Sequence, residues 1–443
     1  MTPLLSWRGE LAPGQHRDAD GYLLLGEVSV RSLAASYGTP LLVIDLGVVD
    51  VAVRTIAGAA AAHGAEVSYA AKAFATTEFL RHLARHPIGI DVCSLGELVT
   101  AERAGFEAKR ITLHGAGKSD EELAAVTAGR VGIIVVDGLE ELARLARLSQ
   151  NARTIDVMLR LNVGIEAGAH AYVRTGGHDT KFGIHLRDEH AAATLLREHP
   201  QLRFIGLHAH LGSQIFESSA YAANALALIE AAARFAKLGW RSELIVIGGG
   251  FGVPSHPAAV PERLEVASAV AAATEAVQAA AAAHEVPVPR LGLEPGRSIV
   301  ALAGTTLYRV LAVKRQTNRT FVVVDGGIGE NPRPALYGAH HHVVTATPAS
   351  GEDEEMTLCG RSCENDELGN VRLPGGLAAG ALLAMCSTGA YTYSMAGNYN
   401  RIPRPAVVGV EGRSHRLLAR RESIEDILRT DAVDASSPAA GAL

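Results

Sequence analysis

Lys72, in Ser68-Tyr69-Ala70-Ala71-Lys72-Ala73, closes a short run rich in β-formers. A lysine at such a strand end suits carbonyl chemistry. Withdrawn from water, its amine loses its proton more readily and can form a Schiff base with an aldehyde. Reactive residues recur at the ends of similar runs: Asp91 to Ser94, His114, Asp137, Arg160, His208 with His210, and Glu294 with Arg297. Their coincidence at one end of successive runs is a stronger signal than any single residue.

Gly248-Gly249-Gly250-Phe251-Gly252 follows another of these runs. Without side chains, backbone N–H groups can close around an anion, although such glycines also simply end strands. Ser213 could add a hydroxyl to the same anion, and Gly296 another N–H. Glu294 has two readings: a carboxylate paired with Arg297, or the partner of a protonated pyridine nitrogen, which makes that ring a better electron sink. His210 is placed to lie against the ring's face. A histidine at a strand end is often merely hydrogen-bonded, and His208 shares that alternative.

Strand-like runs at 67–72, 89–93, 111–114, 133–137, 155–161, 203–210, 243–247 and 290–294 must position these groups. Helical stretches such as 76–86, 119–129, 138–148 and 218–238 separate them. Eight alternating units predict an α/β fold, a closed (β/α)8 barrel over residues 41–298 whose active face lies at the strand C-termini. A doubly wound open sheet fits less well, because the glycine cluster comes in the seventh unit. From 299 to 431, runs at 305–314, 319–325, 343–346 and 355–359 lack long helices between them. They predict a second, mainly β domain that residues 1–40 join through a strand at 21–25. Residues 432–443, small and weakly apolar, read as a disordered tail. The glycines and polar residues of 176–180 read as a mobile lid.

The chain has 443 residues, 48% hydrophobic and 20% charged, with a net charge of −6. That is an ordinary globular composition with no basic footprint for nucleic acid. Four cysteines, Cys93, Cys359, Cys363 and Cys386, lack zinc-ligand spacing and are too few for a disulfide framework. No secretory pattern opens the chain and no apolar run is long enough to span a bilayer, so a cytoplasmic protein without membrane contact is expected.

Together the motifs Tyr69-Ala-Ala-Lys72, Asp91 to Glu97, Lys181 to Gly183, His208 to Gln214, Gly248 to Gly250 and Glu294 to Arg297 resemble the fold-type III pyridoxal-phosphate decarboxylases. Val324 to Gly327, Arg333 to Tyr337, Cys363-Glu364 and Gly389 to Tyr391 extend the match, most closely to the bacterial diaminopimelate decarboxylases. The resemblance implies decarboxylation of meso-diaminopimelate to L-lysine with pyridoxal phosphate and no metal. Lys72 would hold the cofactor, His210 would stack on it and Glu294 would pair with its nitrogen. Ser213, Gly249, Gly250, Gly296, Arg297 and Tyr391 would surround the phosphate or a nearby carboxylate. Arg297, Arg333, Tyr337, Glu364 and Tyr391 would contact substrate. Cys363 would donate the final proton from the second subunit of a homodimer.

The chemistry agrees with that assignment. Guanidinium groups bind carboxylates through paired hydrogen bonds, so Arg297 and Arg333 suit a substrate with two of them. Cys363 could instead be an apolar filler, but Glu364 beside it opposes full burial. The chain departs from the family at Asn365-Asp366-Glu367, where Ser-Gly-Asp is usual, and in His114-Gly-Ala-Gly-Lys118, which lacks the usual asparagine. His340-His341-His342 has no mechanistic assignment. A decarboxylase for another amino acid and an inactive regulatory homologue are the alternatives.

Overall fold

Runs of β-branched and aliphatic residues, each ended by a glycine, a charged residue or a helix cap, build the core of the computed structural model. It describes residues 6–150, 153–165, 180–258 and 264–432. Among these, the strands Glu66–Ala70, Gly89–Val92, Ile111–Leu113, Ile133–Val136, Ile155–Asn162, Leu202–His208, Leu244–Val246 and Arg290–Leu293 pair in parallel. Pairing of the fourth strand with the fifth and of the eighth with the first closes the barrel. Being covered on both faces, these strands are nearly continuous apolar runs.

Capped helices return the chain between strands. Ser94 accepts from the Glu97 N–H before helix Leu95–Ala104, and Ser119 forms a reciprocal capping box with Glu122 before Asp120–Thr127. Helix Val266–Ala283 is long and apolar enough to cross a bilayer by length and composition, contrary to the sequence expectation. Its Ala269, Val270, Ala273, Val277 and Ala281 are buried in the main core, so the apolar stripe is a packing face.

The second domain centres on the twelve-residue strand Gly304–Arg315. One end of this strand pairs with Leu41–Asp45 and Leu382–Cys386, the other with Thr320–Val324, and an irregularity falls between Val310 and Ala312. Asp353–Cys359 and Glu367–Pro374 continue one edge; Ala406–Glu411 and Ser414–Ala419 continue the other. The expected boundary at residue 41 therefore shifts. Leu41–Asp45, which the sequence reading did not list as a strand, has both its neighbours in the second sheet. The N-terminal segment joins this domain as expected. Leu23 donates to the Ala346 carbonyl at 3.0 Å, and Leu23, Leu25 and Val28 pack with Leu307, Leu382 and Ala406. The expected tail from 433 onwards and the lid residues 176–179 lie outside the described residues.

Candidate active site

Lys72 sits in a single 3-10 turn, Ala71–Ala73, directly after the first barrel strand, with its side chain exposed in the barrel mouth. Desolvation, which favours loss of its proton, is opposed here. Tyr391, Cys93 and Glu294 outweigh both it and Arg160, so its pKa is raised. A loop of the second domain is stitched to this turn. The Tyr391 N–H and the Ser394 hydroxyl both donate to the Ala73 carbonyl, at 2.9 and 3.1 Å. Tyr391 holds φ at 59°, a strained backbone for a tyrosine that costs about 1–3 kcal/mol.

The glycine run allows backbone segments to meet at the mouth. A Cβ on Gly249 would stand 2.0 Å from the Glu294 carbonyl oxygen, and one on Gly250 would stand 2.2 Å from that of Gly212. Gly250 also has φ of 84°, which favours glycine. The Gly249 N–H donates to His210 Nδ1 at 3.2 Å. Burial drives the His210 pKa well down, so its ring is neutral. At the end of the eighth strand, Gly296 fits against Ala70 and Ala73, bringing Arg297 close to the Lys72 turn.

Glu294 does not pair with Arg297. Its Oε2 lies 3.0 Å from His208 Nε2 and its Oε1 lies 3.3 Å from His114 Nε2, with Asp91 Oδ1 a further 3.7 Å from that nitrogen. Burial alone would raise the Glu294 pKa, but the two imidazoles more than reverse this and lower it well below the carboxylate range. The Arg297 Nε and Nη2 instead donate to Ser213 Oγ at 3.2 and 3.0 Å.

Arg333, in the short helix Arg333–Tyr337, lies over the rings of Tyr337 and Tyr391 at 5.5 and 6.0 Å. Neither Arg297 nor Arg333 forms an ion pair among the described residues. Burial, followed by the neighbouring Arg297 charge, lowers Arg333 to about 10. The two arginines, Tyr337, His341 and Ser387 line a cavity of about 170 Å³. The histidine triplet thus divides: His341 Nδ1 lies 3.1 Å from the Cys386 carbonyl oxygen beside this cavity, whereas the His342 ring packs on Trp7 and His256.

Cys363 and Glu364 stand apart from this mouth. Both are exposed; the Cys363 N–H donates to Asn400 Oδ1 at 3.0 Å, and Glu364 accepts from the Tyr399 hydroxyl at 2.7 Å. Asp366, which replaces the family's glycine, is buried and accepts from the Ile328 N–H at 2.6 Å and the Ser362 hydroxyl at 2.7 Å. It therefore anchors the turn that carries Cys363. The sequence reading assigned no role to Asp366, His208, His114 or Asp91, although the spacing of His208 and His210 places both on one strand face.

An eight-stranded parallel barrel with a lysine, a neutral histidine, an ionised glutamate and a glycine cradle at its mouth defines a class of cofactor-dependent lyases. Residues 49–301 match the pyridoxal binding domain of the pyridoxal-dependent decarboxylases, and the chain belongs to that family. It is 41% identical to the diaminopimelate decarboxylase of Actinosynnema pretiosum subsp. auranticum over 93% of each chain. It is 40% identical to that of Bacillus subtilis (strain 168), covering 93% of this chain and 95% of the other. The solved diaminopimelate decarboxylase of M. jannaschii in co-complex with L-lysine superposes with a TM-score of 0.87 at 27% identity, covering 95% and 98% of the two chains.

The residues present fit pyridoxal phosphate. Lys72 reaches the open mouth, Glu294 is held as a carboxylate, and the side-chain-free Gly249 and Gly250 leave a recess beside Ser213 and Arg297.

Proposed function

We propose that the chain is a pyridoxal-phosphate-dependent diaminopimelate decarboxylase, converting meso-diaminopimelate to L-lysine and CO2. The observation that carries this reading is the pair Arg297 and Arg333, half-buried together at the mouth with no carboxylate partner among the described residues. Two such guanidiniums favour a dicarboxylic ligand over a simple diamine precursor.

Bound pyridoxal phosphate supplies an electron sink for the charge left when CO2 departs. Lys72 would hold the cofactor covalently, and neutral His210 would lie against its ring without adding a competing cation. Glu294, held as a carboxylate, would pair with the ring nitrogen. Ser213, Gly249, Gly250, Gly296, Arg297 and Tyr391 would orient the phosphate and a substrate carboxylate. Arg333, Tyr337 and Glu364 engage the substrate's far end. The thiol of Cys363, brought by a second copy of the chain in a homodimer, gives its proton to the α-carbon. Its exposure, with that of Glu364, supports a role at a subunit boundary.

The test is CO2 release from cofactor-loaded protein offered meso-diaminopimelate, lysine, ornithine or arginine. Release from meso-diaminopimelate alone is expected, and equal release from lysine or ornithine would overturn the assignment of substrate. Lys72→Ala should lose the visible absorbance of the loaded protein; a retained band would remove the lysine from its role.

A further inference from the structure

The floor of the barrel mouth carries four titratable side chains in line. His208 Nε2 is 3.0 Å from Glu294 Oε2, His114 Nε2 is 3.3 Å from Glu294 Oε1, and Asp91 Oδ1 is 3.7 Å from the same His114 nitrogen. The imidazole rings stand 5.1 Å apart at 65°. Side-chain exposure is 1% for His208, 9% for His114 and 12% for Glu294. Lys72, Cys93, Arg160 and His210 are the other charged or titratable groups facing this line. Asp91 and Glu294 also line a cavity of about 680 Å³ that continues to Lys109 and Arg110.

The geometry gives each imidazole a different task. Burial lowers His208 to about 4, so it is neutral and its Nε2 must carry the hydrogen given to Glu294. Its Nδ1, which has no partner, is then an unprotonated acceptor. His114, between two carboxylates, is raised to about 9 despite burial and is the cation. Each oxygen of Glu294 thus faces one imidazole, and about two of its four lone-pair positions stay available. Without these neighbours, burial would favour the neutral acid, which could not balance a protonated ring nitrogen.

We propose that His208 and His114 are positioning residues that fix the Glu294 carboxylate in its ionised form and orientation toward the cofactor's ring nitrogen. The proposal rests on the reading of Glu294 as that nitrogen's partner. His208 acts as a neutral hydrogen-bond donor, so an amide donor can replace it. His114 acts by charge, so an amide cannot.

The test compares His208→Leu, His208→Gln, His114→Gln and Glu294→Gln as cofactor-loaded proteins, recording pyridoxal phosphate affinity and the pH titration of the visible absorbance. His208→Leu should weaken affinity by about tenfold, the size of one lost hydrogen bond to a charged group; His114→Gln, which removes a charge, should weaken it as well, and both should move the titration in the direction that Glu294→Gln moves it. His208→Gln should return both to near wild type. Wild-type behaviour of His208→Leu while Glu294→Gln is altered would overturn the proposal alone. An unaltered Glu294→Gln would remove the underlying reading of Glu294. If the leucine variant fails to fold, ring-nitrogen magnetic resonance of labelled cofactor in wild type and His114→Gln decides. The nitrogen should stay protonated to higher pH in wild type, and identical titrations would overturn the role of His114.

Discussion

The guanidinium carbon of Arg297 lies 4.8 Å from the centroid of the Tyr391 ring, so the two domains meet at a cation held over an aromatic face. Such a contact is worth about 0.5–2 kcal/mol, more when it is dry. Tyr391→Ala should therefore weaken cofactor binding by about threefold to thirtyfold. Tyr391→Phe, which keeps the ring, should stay close to wild type. Titrating apoprotein with pyridoxal phosphate while following absorbance measures both.

Arg333 lies beyond Arg297 in the same cavity and touches two tyrosine rings. Arg333→Ala should raise KM for meso-diaminopimelate by about tenfold to a hundredfold, the size of a lost charge-assisted pair, with cofactor absorbance unchanged. Equal loss of cofactor affinity would place this arginine at the phosphate. Steady-state kinetics alongside cofactor titration separate the two.

Asp366 is 6% exposed and fastens the turn bearing Cys363 through the Ile328 N–H and the Ser362 hydroxyl. Asp366→Ala should lower kcat by about tenfold or more, since a misplaced donor acts through orientation, while the cofactor spectrum stays as in wild type. Asp366→Asn retains an acceptor and should recover much of the rate. An unchanged kcat in the alanine variant would show that the turn holds itself.

On the barrel's outer layer, Asp50 Oδ1 takes His82 Nε2 at 2.7 Å and His86 Nε2 at 2.9 Å. Burial raises its pKa, but the two imidazoles outweigh this and leave it lowered. Stability from a lowered carboxylate is present above its unfolded value, about 3.9, and disappears as pH falls through the folded one. Asp50→Asn should cost about 1–3 kcal/mol near neutral pH and progressively less below pH of about 4. Urea unfolding of both proteins across that range checks it, and a gap independent of pH would refute the assignment.

Much of the barrel was legible because each of its strands is an apolar run with chemistry at one end and a helix behind it. The boundary at residue 41 was not readable locally: the strand Leu41–Asp45 has its sheet chosen by residues 304–307 and 406–410, far along the chain. Glu367–Pro374 escaped notice because it is half-exposed and interrupted by glycine, asparagine and arginine. At the site, residue types at strand ends singled out Lys72, Glu294 and the glycines as candidates, and the structure brings them to one mouth. The partner of Glu294 was not readable. His208, His210, His114 and Arg297 were all chemically acceptable, and only side-chain direction inside the barrel selects among them. Desolvation of Lys72 is visible from a strand end, whereas the groups opposing it, Tyr391, Cys93 and Glu294, come from three other segments.

The central sheet of the second domain, built on Leu41–Asp45 from one end of the chain and Gly304–Arg315 and Ala406–Glu411 from the other, has a consequence for biosynthesis. A ribosome delivers the entire barrel before that early strand finds either neighbour. Until then it is a bare apolar edge, open to pairing with other chains. Closure of so distant a contact is slow, so maturation of the second domain should limit the appearance of active enzyme. Chains halted after the barrel should be those that aggregate or recruit chaperones.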